Sequence, residues 1–341
     1  MRLPCRVLPR FALAHSGESG LQYGPLLRRR LGMGSGTVDI RKHFTILAVV
    51  SMVVCWASVP LFLKHFTANL DAWTVNAVRY GVASVLLLPF AISCCRHPVA
   101  GRNIWRDALV PAAVNTLGQV GWALIPYYLD ASVMGFGIRS SFLFAVMAGL
   151  WLLPEERALM RSPLYLSGAG ICVTGMVMLF AGVTRAHGSV VGYVILLATS
   201  AVWGFYGVCV RKFMHGYSSR HAFSVICLYT AVILAVLMAA CGHGQVLASC
   251  PPGLWLTLAV SAVIGIVVPH ILMYTVVRRF GPLIEAGSEL TTPFLTFAGA
   301  ALLFGERLTS AQWVGGIGVI CGSACMVLAH RDRQRNLPEP P

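Results

Sequence analysis

A chain of 341 residues that is 57% hydrophobic and 11% charged, with a mean hydropathy of +0.74, cannot cover a water-facing surface. Soluble domains carry about 25% charged residues, so lipid must be the main solvent here. The net charge of +14 would suit a nucleic-acid partner, but the placement of the bases, given below, excludes that reading.

In chain order, residues 1–32 come first; they are Arg-rich, with Glu18 as their single acid. They lack the apolar centre of a secretory signal. Two readings stay open: an organelle transit peptide, or a misplaced start with translation beginning at Met33. In both, residues 1–43 are a tail outside the fold. Ten apolar stretches follow, near 44–66, 72–94, 106–128, 131–152, 162–182, 189–210, 221–241, 254–276, 282–303 and 310–329. Each approaches the roughly 20 residues that a membrane-crossing helix needs. The expected architecture is therefore an all-α membrane protein of ten helices, with a short tail at 331–341.

Several of these stretches carry side chains that lipid does not suit. Trp56 and Trp203 sit near mid-helix rather than at the interfaces, as aromatic walls or as packing between the first and sixth helices. Arg79 lies about two turns into the second helix, where it can snorkel outward or make a structural contact. Asn115, Gln119, Trp122 and Pro126 are spaced four, three and four residues apart, so they share one face of the third helix. Arg139 is near the centre of the fourth helix. Glu156 closes the following turn as Glu306 does in the second half, each a cap or a partner for the neighbouring Arg. Cys241 and Cys250 flank the longest outer loop, close enough for a disulfide. The eighth helix offers Pro269, which frees a carbonyl and kinks the helix, together with His270 and Tyr274. The ninth holds Glu285 and Glu289, four apart on one face that Thr292 and Pro293 continue. Gly318 and Gly322 form a GxxxG on the tenth, suited to close packing within the chain or in a homodimer.

With ten spans and an inside N-terminus, 21 of the 26 Lys and Arg fall on one side and three (Lys64, Arg185, Arg307) on the other. Such a split places both termini in the cytoplasm, so the basic charge encodes topology. The eleven cysteines form no CxxC pair and no Cys/His metal spacing, and no cofactor is implied.

The chain also repeats itself. "WASVPLFLKHF" from Trp56 and "WGFYGVCVRKF" from Trp203 share a Trp, a base and a Phe at an offset of 147. "WLLPEER" (151–157) matches "LLFGER" (302–307), and "YLSGAG" (165–170) matches "WVGGIG" (313–318). The matches keep their order, giving five-helix units at 44–182 and 189–330. Because five is odd, the second unit enters the membrane from the opposite side. Inverted repeats of this kind are common in secondary transporters, with the substrate near the midplane.

These segments, with Arg79 in "VNAVRYGVAS" and "TTPFLTFAGAALLFGERLTSAQWVGGIGVICG" (291–322), resemble the EamA-type branch of the drug/metabolite transporter superfamily from about residue 44 to 330. In the first half, Leu143 stands where a proline is usual and Pro154 replaces a glycine. The resemblance implies a ten-helix exporter or exchanger of small metabolites in the cell membrane, or in an organelle membrane if the leader is a transit peptide.

The symmetry also pairs charges. An offset of 150 places Arg139 on Glu289, at similar depth around the axis. A lone charge at mid-bilayer costs about 2.5–3.5 kcal/mol on insertion scales, so such groups face a wet cavity or each other. Arg139 is expected to hold a carboxylate or phosphate, and Glu289 an amine or a proton. Asn115, Gln119, Trp122, Trp56, Trp203 and Tyr274 are the remaining candidates for substrate contact. Glu285, Glu289 and His270 are the candidates for proton coupling. A bare Arg139–Glu289 ion pair locking the halves is the competing reading. No GxSxG, HExxH or Walker motif supports an intramembrane enzyme or a primary pump. A non-transporting scaffold leaves the paired charges without a task.

Overall fold

The structure is a computed structural model that describes residues 36–94, 99, 101–129, 131–154, 157–181, 189–304 and 309–335. The chain divides into Met1–Thr45 and Ile46–Pro341, and all packing below belongs to the second unit. Glu156, Glu306 and residues 1–35 lie outside the described residues.

Among the described residues, ten helical segments overlap the ten apolar stretches. They are α1 (Gly36–Phe66), α2 (Ala72–Ser93), α3 (Ile104–Tyr127), α4 (Val133–Leu152), α5 (Pro163–Ala181), α6 (Val190–Phe213), α7 (Ser219–Cys241), α8 (Pro252–Phe280), a two-part α9 (Pro282–Glu289 and Thr292–Phe304) and α10 (Ser310–Arg335). Eight helices are long and apolar enough to cross a membrane among the described residues. The other two segments are α5, a shorter apolar helix, and the interrupted α9. Outward positions are apolar, as on Leu47, Val85, Leu117, Met147, Val177, Val236 and Leu256, which is the surface a hydrocarbon solvent selects.

Equivalent helices of the two halves run in opposite senses. Asp71, capping the start of α2, accepts a hydrogen bond from His243 N just beyond the end of α7 at 3.1 Å. At the far end of α2, Ser93 Oγ lies 3.0 Å from His221 Nε2 near the start of α7. In α5 and α10, Gly168 faces Gly322 and Gly175 faces Gly315, with the Cys172 thiol on Val319 O between them. As one residue number rises the other falls, so both pairs are antiparallel and the repeats are inverted. The approach of α5 to α10 is close because side chains are missing. A Cβ added at Gly168 would lie 2.7 Å from Gly322 O, and one at Gly322 would lie 2.5 Å from Gly168 O. In lipid, where apolar contact gains little over the tails, such small-residue packing holds helices together. Gly322 of the GxxxG is thus engaged within the chain.

The loops repeat the symmetry. Arg102, between α2 and α3, pairs with Asp107 at 2.6 Å and donates to the carbonyls of Phe213 (2.6 Å) and His215 between α6 and α7. Tyr217 adds a hydrogen bond to Asp107 at 2.8 Å. Cys241 and Cys250 are both free thiols, so the disulfide that their spacing allowed is not formed.

Three helices are irregular at the level of the site. Pro293 has no N–H for the carbonyl of Glu289, and α9 breaks between Glu289 and Thr292. In α4 a 3₁₀ turn spans Ile138–Ser140, at the position symmetry assigns to that break. It forms without the proline that Leu143 replaces; Ser140 Oγ donates to Gly137 O at 2.9 Å instead. In α8, Pro269 cannot serve the carbonyl of Gly265, and a π turn occupies Val263–Val267.

Candidate functional site

The interruptions in α4 and α9 deliver Arg139 and Glu289 to one place. Arg139 Nη1 lies 2.5 Å from Glu289 Oε2, with side chains 6% and 17% exposed. The pair opens onto a cavity of about 80 Å³. A peptide group inside a regular helix is already hydrogen-bonded, whereas a break leaves local polarity that suits a ligand rather than lipid.

Five further segments close the cavity. Trp56 comes from α1, Arg79 from α2, Gln119 and Trp122 from α3, Trp203 from α6 and His270 from α8, while Glu285 joins Glu289 from α9. Glycines set the shape. The Trp203 ring lies flat on α3 because Gly118 has no side chain; a Cβ there would meet Cε2 at 3.1 Å. On α6, Gly207 leaves room for Glu285, whose Oε2 would stand 3.4 Å from an added Cβ. His270 is stacked on Phe223, with ring centroids 4.5 Å apart and planes at 10°, and meets the edge of Trp56 at 5.9 Å. Its Nδ1 lies 2.8 Å from Ile266 O, a carbonyl of the π turn.

The cavity wall carries polar atoms that no described residue satisfies. Arg79 Nη1, Arg139 Nε, His270 Nε2 and Glu285 Oε1 are buried and make no hydrogen bond among the described residues. Buried polar groups are nearly always paired. Four open positions around one void describe a surface shaped for a polar solute.

Two sequence candidates sit elsewhere. Asn115, one turn from Gln119, is fully buried and donates to Thr230 Oγ1 at 2.9 Å and to the Tyr80 hydroxyl at 3.2 Å. It binds α3 to α7 and α2. Tyr274, one turn from His270, shares a 2.7 Å hydrogen bond with Tyr206 and is also off the cavity lining. In both cases spacing identified the helix face and could not tell which neighbour each turn of it meets. Conversely, Arg79 lines the cavity and does not reach outward. The signal for it was a charge tally: the apolar stretches contain a second arginine for which helical spacing supplied no acid.

The EamA-like transporter family matches residues 43–182 and again 190–328, once per inverted half. The chain belongs to this family. A Bacillus subtilis (strain 168) protein described as "Uncharacterized transporter YcbK" is 30% identical over 148 residues, 41% of this chain. The chain spans only 44% of that relative's length. A solved crystal structure overlays with a TM-score of 0.67 at 17% identity, covering 86% of this chain and 99% of the other, which shows a shared fold. In EamA terms, the site residues lie at the meeting of the two family units, with Arg139 from the first and Glu289 from the second.

Proposed function

We propose that this EamA-family chain is a secondary transporter, an exporter or exchanger that moves a small polar metabolite such as an amino acid or organic anion across the cell membrane. Both termini face the cytoplasm, and transport proceeds by alternating access between the inverted halves. The observation that carries this reading is the Arg139–Glu289 pair, which joins the halves at two helix breaks and borders a cavity with open hydrogen-bonding positions. A contact between halves at the site lets substrate and conformation influence each other. A solute that competes for Arg139 or Glu289 loosens the link, and its departure restores it.

A proton can share that cycle. Glu285 and Glu289 both line the cavity, four residues apart on α9, and two neighbouring carboxyl groups favour keeping one proton between them. Substrate arriving at Glu289 would displace that proton toward water, giving exchange of substrate for proton. His270 offers a further acceptor on the same wall.

The test begins with an untargeted metabolite comparison of cells with and without the protein. Flux of the metabolite found is then measured in proteoliposomes, with a pH dye inside. Wild type moves the solute chemically unchanged, and Arg139→Gln reduces flux to the protein-free background at normal membrane abundance. Wild-type flux in that variant would remove Arg139 from the mechanism. A dye silent during flux would remove the proton.

A further inference from the structure

The cavity holds two guanidinium groups, and only one has a carboxylate. Arg139 is answered by Glu289. Arg79, on α2, is 1% exposed and pairs with no acid among the described residues. Its Nε donates to Ser261 Oγ at 3.1 Å and its Nη2 to Ser261 O at 3.4 Å. Those two bonds use one edge of the guanidinium plane and fix its orientation. The remaining nitrogen, Nη1, is left without a hydrogen bond on the cavity wall.

The fold makes deliberate room for this group. Ser261 lies two residues before the π turn Val263–Val267 of α8. Within that turn Gly265 faces the guanidinium so closely that a Cβ there would lie 2.7 Å from Nη2. Single π turns inside α-helices recur at functional sites. A cation buried at membrane depth without a partner is expensive, and two neutral hydroxyl and carbonyl contacts do not discharge it.

We infer that Arg79 is the anion seat of this transporter: it receives the carboxylate or phosphate of the substrate at Nη1, apart from the Arg139–Glu289 pair. The inference rests on the transport reading for the word substrate, and on the geometry alone for the anion. It divides the labour in the cavity. Arg79 supplies the net positive charge that attracts an anion, and Ser261 with Gly265 positions it. Arg139 and Glu289, paired with each other, report the solute's arrival to the two halves. A charge-assisted hydrogen bond of this kind is about twice as strong as a neutral one, and stronger again away from bulk water.

The experiment uses the purified full-length chain in detergent. Acetate, inorganic phosphate and uncharged acetamide are titrated at constant ionic strength, reading intrinsic fluorescence, because Trp56, Trp122 and Trp203 line the cavity. Wild type is expected to respond saturably to acetate or phosphate and not to acetamide; the anion that saturates first names the group. Arg79→Gln is expected to weaken that response at least tenfold, and Arg79→Lys to retain part of it. Equal responses to acetate and acetamide overturn the assignment, as does a wild-type titration by Arg79→Gln. If Arg79→Gln does not fold, the wild-type comparison of acetate with acetamide decides. Binding is read here without transport. An Arg79-dependent titration in a protein that carries no flux would overturn transport and keep the anion seat. Flux accompanied by a titration indifferent to Arg79 would do the reverse.

Discussion

Two of the meetings between the inverted halves differ in kind. Along α5 and α10, Gly168, Gly175, Gly315 and Gly322 bring backbone against backbone, with one thiol between. Across α4 and α9, the helices break and Arg139 pairs with Glu289 beside a cavity. One symmetry thus produces a sealed crossing and an open one. The difference lies in side-chain size and charge: absent side chains let backbones close up, while at the other crossing long charged side chains bridge the halves beside open space.

The sharpest way to break the contrast is Glu289→Gln. It leaves Arg139 buried beside a neutral amide. Removing one partner of a buried pair costs about 3–5 kcal/mol, so melting of the purified protein in detergent should fall well below wild type. Arg139→Gln should cost less, because a carboxyl left alone can take up a proton while a guanidinium cannot lose one. The double variant Arg139→Gln/Glu289→Gln should recover much of the loss. A Glu289→Gln protein as stable as wild type would mean that the cavity solvates Arg139 fully by itself.

The sealed crossing is tested next by Gly168→Val. The new side chain meets the Gly322 carbonyl, which cannot move without moving α10. Overpacking of this sort costs about 1–3 kcal/mol. Gly170→Ala on the same helix, with nothing within 4 Å of its Cβ, should be close to neutral. If the two substitutions melt alike, α5 does not touch α10 as described.

The smallest effect is expected where α2 and α7 are tied end to end. Asp71 accepts from Thr74 N at 2.9 Å, from the Thr74 hydroxyl at 2.7 Å and from His243 N. Asp71→Ala should cost about 1 kcal/mol, the usual value of a lost helix cap. Partial burial pushes the Asp71 carboxyl up, but the hydrogen bonds from Thr74 and His243 outweigh it and hold the pKa below the usual value. The sign follows: its stabilisation is complete above the unfolded aspartate pKa of about 3.9 and fades as pH falls through the lowered folded value. A melting profile of Asp71→Ala that loses as much as wild type on acidification would contradict this.

How much was legible beforehand can be argued from the same residues. The apolar stretches and the Trp56 and Trp203 motifs sufficed for an inverted pair of helical bundles, because lipid demands long apolar runs and the repeat survives in bulky residues. The pairing of Arg139 with Glu289 followed from the offset. The helix breaks did not. The α4 turn forms without its proline, from Gly137 and Ser140, a combination common in unbroken membrane helices. Gln119 and Asn115 read alike at one-turn spacing. Only the tertiary arrangement separates them, since a turn of α3 decides whether the neighbour is the void or Thr230 of α7. Arg79 was visible as a charge, but its fate depended on a π turn that pattern reading does not reveal.

The glycine crossing of α5 and α10 has one more consequence. Carbonyls and α-carbons have no rotamers to re-sort, so a backbone crossing can tolerate a small change of angle without repacking. Any rocking of one half on the other therefore meets least resistance there. If the halves rock as the proposed transport cycle requires, the glycine seam is the fulcrum and the α4–α9 crossing is the arm that swings.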